Sequence, residues 1–167
     1  MGLFSKLFGK EEKVTEVVVS SYMKGKVVNL SEVPDPVFAE KMMGDGFAII
    51  PEEGKLVSPV KGEIIQVFPT KHAFGIKTDG GVELLLHVGL ETVSMKGEGF
   101  DVLVSAGDEV EVGQPLLNYD LELVKEKAKD IITPCVVTSG EAVETITVSK
   151  LNDTVDYAEE VAVLKLK

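Results

Sequence analysis

Arginine and tryptophan are absent from this 167-residue chain, cysteine occurs once and histidine twice. Seventeen basic against 28 acidic side chains give a formal net charge of −11. A chain with no arginine and this acidic balance lacks the clustered cations that phosphate neutralisation needs, which argues against a nucleic-acid binder. The single Cys135 cannot form an internal disulfide, so nothing speaks for an oxidising compartment. No apolar run approaches the roughly 18 residues of a membrane span, and no secretory h-region is present. The expectation is a soluble intracellular protein. Its length is about that of one ordinary domain. With 44% apolar and 27% charged residues it has the means to build a core. Sixteen glycines and seven prolines allow many turns without low complexity.

Residues 1–13 stand apart. Leu3, Phe4, Leu7 and Phe8 share one helical face while Lys6, Lys10 and Lys13 add positive charge. Two readings stand for this flexible amphipathic segment: a frayed terminus that docks loosely on the domain, or a foot that touches anionic lipid. Lys6 occupies the position where a myristoylation signal wants Ser or Thr, which argues against acylation. Residues 14–167 show no further boundary and read as a single domain.

From Val14 onward short β-branched runs alternate with glycine and proline: Val17–Val19, Val27–Leu30, Phe47–Ile50, Ile64–Phe68, Leu84–Val88, Val102–Val104, Val136–Val137 and Val161–Leu166. Such spacing predicts an all-β fold, an antiparallel sandwich or barrel-like architecture with Greek-key or jelly-roll features. One or two short helices are expected, over Pro36–Met43 and over Leu121–Lys129 behind an Asp120 cap. A weak repeat aligns Met23-Lys24-Gly25-Lys26-Val27-Val28 with Val60-Lys61-Gly62-Glu63-Ile64-Ile65. Two copies read as a local duplication rather than a solenoid.

The two histidines, His72 and His87, flank Asp79-Gly80, a dipeptide favoured in two-residue type I′ turns. With that loop Thr78 pairs with Gly81 and His72 lies opposite His87, at a Cβ separation of about 4.5–5.5 Å. One more loop residue would put the two on opposite faces. Thr70 shares the face of His72 and can fix its tautomer. Gly89, lacking a Cβ, is expected to leave open space beside His87. Leu84, Leu86 and Val88 form the core face of the strand. Three readings remain open at this point: unrelated strand histidines, a half-built metal site, or a nucleophilic pair. Two ligands do not close a zinc site, and no His-x-His, His-Glu-x-x-His or Gly-x-Ser-x-Gly pattern occurs. Cys135 reads as a small buried strand residue. As a nucleophile, a neutral imidazole has one free lone pair for in-line attack on phosphorus. This chain has few cations to stabilise phosphoryl oxygens, so a basic partner would have to bring them.

The segment Gly81-Val82-Glu83-Leu84-Leu85-Leu86-His87-Val88-Gly89-Leu90-Glu91-Thr92-Val93, followed by Lys96-Gly97-Glu98-Gly99-Phe100, carries a resemblance. Together with Val33-Pro34-Asp35-Pro36-Val37-Phe38-Ala39-Glu40-Lys41, Gly44-Asp45-Gly46 and Thr70-Lys71-His72-Ala73-Phe74, it resembles the glucose-type IIA component of the bacterial phosphoenolpyruvate-dependent sugar phosphotransferase system. The likeness runs from about Val17 to Lys167. It implies a β-sandwich phosphocarrier, a transferase component rather than a complete enzyme. Such a protein takes a phosphoryl group from the histidine-containing phosphocarrier protein and passes it to a cysteine of a IIB sugar-permease domain. His87 matches the phosphorylated histidine, His72 the second histidine that contacts the phosphoryl group, and Thr70 the residue hydrogen-bonded to it. Asp35 matches a rim acid, and Glu91 stands where some relatives have aspartate. Phe38, Phe68, Phe74 and Val88 resemble the apolar docking patch, with plain core as the alternative for each. No cofactor is implied and no metal is expected in the free protein, although in some relatives the paired histidines, here His72 and His87, bind zinc in a complex with a regulated enzyme. The resemblance also implies a cytoplasmic location, at most peripheral at the inner membrane face through residues 1–13, and regulatory partners. The reading set against it is a non-catalytic β-sandwich binding module, with zinc between His72 and His87.

Overall fold

The computed structural model describes residues 14–167; the amphipathic reading of residues 1–13 lies outside them. In chain order the elements are β1 (Glu16–Ser20), β2 (Gly25–Asn29), α1 (Pro36–Ala39), β3 (Gly46–Pro51), β4 (Lys55–Val57), β5 (Gly62–Val67), β6 (Ala73–Thr78) and β7 (Glu83–His87). There follow β8 (Phe100–Val102), β9 (Glu109–Val110), β10 (Pro115–Tyr119), α2 (Leu121–Lys127), β11 (Thr133–Val137), β12 (Val143–Val148), β13 (Thr154–Val155) and β14 (Glu160–Leu166). Every named strand pairing is antiparallel. An eight-stranded sheet runs β13-β2-β3-β11-β7-β6-β5-β9, and two three-stranded sheets run β1-β14-β12 and β4-β10-β8. The sheets stay open, so the sandwich form of the expectation holds and the barrel-like form does not. Neighbours such as β3 and β11 are far apart in sequence, which gives the Greek-key style of crossover.

Strand pleating sorts the apolar side chains into two layers. Phe47, Phe74, Ile76, Leu84 and Leu86 point inward to one cluster with Leu116, Leu117 and Leu164 of the smaller sheets. On the outer face of the large sheet, Ala48, Ala73, Leu85 and Val136 lie under Leu30, Val33 and Phe38, which belong to the connection between β2 and β3. That connection carries α1, where the Asp35 side chain accepts from Val37 N–H and Pro36 opens the helix. The helix ends at Ala39 rather than at Met43, because Lys41 turns left-handed at φ 59°. Asp120 caps α2 as expected, by accepting from Leu123 N–H, and α2 stops at Lys127, two residues before the expected end.

The repeat seen in the sequence extends through the large sheet. Val27 pairs with Ile49 and Ile64 with Ile76. Gly25 pairs with Pro51 and Val155, and Gly62 with Thr78 and Val110. Val27 N–H donates to Asp153 O at 3.0 Å and Val27 O accepts from Asn152 at 2.7 Å; Ile64 does the same with Asp108 at 2.9 Å and Gly107 at 2.7 Å. The strands β13-β2-β3-β11 and β9-β5-β6-β7 are thus two copies of one plan, meeting where Cys135 faces Leu86.

Candidate functional site

The turn between β6 and β7 differs from the expected one. Lys77 pairs with Glu83 and Ala73 with His87, and Thr78 N–H reaches Val82 O at 2.9 Å. The loop therefore holds three residues, Asp79, Gly80 and Gly81, with Gly81 at φ 78°. This is the arrangement of a turn followed by a left-handed residue, which glycine enters at no steric cost. By strand parity His72 and His87 should then part. They meet nonetheless: their ring centroids lie 4.8 Å apart, edge to face at 77°. His72 lies before β6, directly after Lys71 at φ 65°, so the pleat does not dictate where its side chain points. The two rings thus meet although strand register sets Ala73, not His72, opposite His87.

Each imidazole has one nitrogen engaged. Thr70 Oγ1 lies 2.6 Å from His72 Nδ1, and the Gly89 carbonyl lies 2.8 Å from His87 Nδ1. A carbonyl can only accept, so His87 carries its proton on Nδ1 and keeps the Nε2 lone pair free. Phe68 stands edge-on to His72 at 5.7 Å and Phe38 tilts against His87 at 5.1 Å. A row of four rings results, Phe68, His72, His87 and Phe38. His72 is buried and His87 half-buried. Burial, then the neighbouring His87, lower the His72 pKa from 6.5 to about 4, against the opposing effect of the Thr70 backbone. Burial likewise lowers that of His87, opposed by the Gly89 hydrogen bond and the Asp35 charge. Both rings are neutral at neutral pH, the state in which an imidazole is a nucleophile.

His87 opens onto a depression of about 330 Å³ lined by Asp35, Val37, Phe38, Met43, Phe68, Leu85, Glu91 and Val93. Its walls are apolar, and among the described residues its two charged groups are acids and no lysine lines it. Asp35 and Glu91 are the two acids among the residues lining it, Asp35 with one oxygen also capping α1. Phe38 and Phe68 belong to the site. Phe74 and Val88 do not: both are fully buried in the inner cluster. Val88 shares the face of Leu84 and Leu86, and Phe74 pairs with Leu86, so both are core. Gly89 also departs from expectation. It sits at φ 68°, where a Cβ would lie 2.8 Å from Thr92 Cγ2 and 2.9 Å from Asp130 O, so it is closely packed rather than beside open space. Val37, Met43 and Val93, each more than a third exposed, complete the apolar wall and were not singled out in the sequence. Exposed apolar side chains carry no local signature, and only their convergence here marks them. Among the described residues no group of three or more His, Cys, Asp or Glu side chains converges as a metal centre. Cys135 is buried against Leu86 and Phe47, and burial pushes its thiol up to about 12, which fits an inert strand residue.

Fold and site together define an all-β protein with a neutral, pinned imidazole at an open apolar depression. Residues 17–143 match the family described as phosphoenolpyruvate-dependent sugar phosphotransferase system, EIIA 1. A protein of Halalkalibacterium halodurans named PTS system glucose-specific EIIA component is 57% identical over 144 residues, covering 82% of this chain and 83% of that one. One of the same name from Staphylococcus aureus is 49% identical over 147 residues, covering 87% and 89%. The solved structure titled glucose permease IIA from Mycoplasma capricolum is 41% identical, with a TM-score of 0.83, and covers 91% of this chain and 97% of that one. The chain belongs to the EIIA family of the sugar phosphotransferase system. It is a phosphocarrier component of that system, and its chemistry is phosphoryl transfer.

Proposed function

We propose that His87 is the residue that carries the phosphoryl group, and that the carrier serves a glucose-type permease. The observation that supports this most is the His87 ring itself: half-buried, neutral, pinned at Nδ1 by Gly89 O, and open at the depression. Its Nε2 lone pair attacks phosphorus in line. A new P–N bond forms on His87 as the P–N bond to the donor histidine breaks, and the donor imidazole leaves with the electron pair. For onward transfer a cysteine thiolate of the IIB domain attacks the same phosphorus and His87 leaves. The donor is the histidine-containing phosphocarrier protein.

His72 assists without carrying the group. In this proposal the Thr70 hydroxyl, 2.6 Å from His72 Nδ1, is the donor, which leaves the single proton of the neutral ring on Nε2 to be offered to a phosphoryl oxygen. Among the described residues no cation lines the depression, and its rim carries Asp35 and Glu91. Both partners therefore dock with apolar surface over Phe38, Phe68, Val37, Met43 and Val93 and bring the positive charge themselves. No helix among the described residues is long and apolar enough to cross a membrane; in this proposal the carrier works in the cytoplasm, on the permease's inner side. Incubation with phosphoenolpyruvate, the system's first enzyme and the phosphocarrier protein should add about 80 Da, the mass of one phosphoryl group on a nucleophilic side chain. A chain whose mass stays unchanged would favour a binding module that carries no phosphate.

A further inference from the structure

Because the Gly89 carbonyl decides which His87 nitrogen bears the proton, whatever holds that carbonyl also acts on the chemistry. Gly89 follows the end of β7, with φ 68°. The peptide unit that joins Val88 to Gly89 is held at both ends by threonine hydroxyls. Thr92 Oγ1 donates to the Val88 carbonyl at 2.6 Å. At the other end the Gly89 N–H donates to Thr133 Oγ1 at 3.3 Å. Thr133 Oγ1 in turn donates to Ile131 O at 3.0 Å, while the Thr133 carbonyl accepts from the Tyr22 hydroxyl at 2.7 Å. This end is thereby anchored in β11 and the inner core. Both threonines are fully buried.

The Thr92 methyl removes the remaining slack, since it packs so closely on Gly89 that no Cβ would fit there. The next peptide is tied through Leu90 N–H to Asp130 O at 2.9 Å. The Gly89 carbonyl is left facing His87 Nδ1. Packing alone would be served as well by valine, which fills nearly the same space without burying a hydroxyl. Two hydroxyls on opposite ends of one peptide unit do something valine cannot.

We propose that Thr92 and Thr133 are positioning residues for phosphoryl transfer: by pinning the Val88–Gly89 peptide at both ends they aim the Gly89 carbonyl at His87 Nδ1 and keep Nε2 as the nucleophile. The inference rests on the phosphocarrier reading, and its main readout is independent of phosphate. Thr92→Val and Thr133→Val in the full chain each remove one hydroxyl, and Thr92→Ser and Thr133→Ser restore it. Two-bond 15N–1H NMR of the His87 ring reports the tautomer with no donor present. Wild type and the serine variants should hold the proton on Nδ1. The valine variants should show mixed tautomers and accept phosphate more slowly, by about tenfold to a hundredfold for a slightly misplaced nucleophile.

Valine variants with wild-type tautomer and rate would overturn the proposal. So would slowed transfer with an unchanged tautomer, or serine variants as impaired as the valine ones, because either result leaves the threonines with a packing role only. If one valine variant does not fold, the other decides, since the two hydroxyls grip the same peptide. A wild-type chain that takes no phosphate would instead bring down the phosphocarrier reading, while the tautomer comparison would still judge the threonines.

Discussion

On β11 the residue after Cys135 is Val136; on β7 the residue after Leu86 is His87, and the duplication puts the two in equivalent positions. Asp45 and His72 are likewise equivalent, because Val137 N–H donates to Asp45 O at 2.8 Å and Val88 N–H to His72 O at 2.7 Å. Val136 is fully buried, whereas His87 is half-buried beside a depression. The cause lies in the connections. Between β2 and β3 a long excursion over residues 30–45 folds across the outer face, covers Val136 and brings Phe38 to the edge of His87. Between β5 and β6 the corresponding link is short, and it places His72, with Thr70 hydrogen-bonded to it, directly against His87. One backbone plan thus yields a packing position in one half and, in the proposed function, a reactive one in the other. The difference rests on what the strand ends carry and how far they are covered.

His87→Ala should abolish phosphate acceptance while Val136→Ala leaves acceptance per folded molecule unchanged, as measured by phosphoryl transfer from the donor; comparable losses in both would erase the contrast. His72→Gln should keep acceptance at His87 but slow onward transfer to the IIB domain by about a hundredfold, the scale of removing one donor to a developing charge. Asp45→Asn at the equivalent position should change neither step. Val136→Ala should in turn lower folding stability by about 2 kcal/mol through lost burial and a cavity, read from denaturant unfolding; no loss would show that the outer layer is not packed as described.

The histidine half should also carry a pH signature. His72, with its pKa lowered from 6.5 to about 4, binds fewer protons folded than unfolded between those values. Stability is therefore full above about pH 6.5 and falls as the pH drops through that window. Unfolding curves of wild type and His72→Gln should converge toward pH 4 if the variant lacks this loss; parallel curves would contradict the burial argument. The smallest effect expected is a roughly several-fold slowing of transfer from the basic donor as salt rises, because screening weakens attraction to an acidic surface. A flat rate would remove steering by Asp35 and Glu91 from the account.

Much of the framework is legible from β-branched runs, since Val17–Val19, Phe47–Ile50 and Val161–Leu166 all lie within strands. The contacts that close the large sheet, β3 with β11 and β11 with β7, have no local signal, because pairing over long separations depends on the whole core. The Asp79-Gly80 dipeptide suggested a two-residue turn, yet Gly81 extends it by taking the left-handed position. Strand alternation already puts Val88 on the core face with Leu84 and Leu86, and Phe74 pairs with Leu86; only the family likeness drew these two toward the surface. The histidine pair was legible because the chain has only two histidines, and Thr70 because it stands two residues before one of them. Thr92 and Thr133 were not, since their role runs through a backbone peptide that only the folded chain brings between them.

The most direct test of the account is 31P and 15N NMR of the phosphorylated full chain. A single phosphoryl group bonded to Nε2 of His87, with the ring proton on Nδ1, is the predicted result. Attachment at Nδ1 of His87, or at His72 or any other side chain, would contradict it.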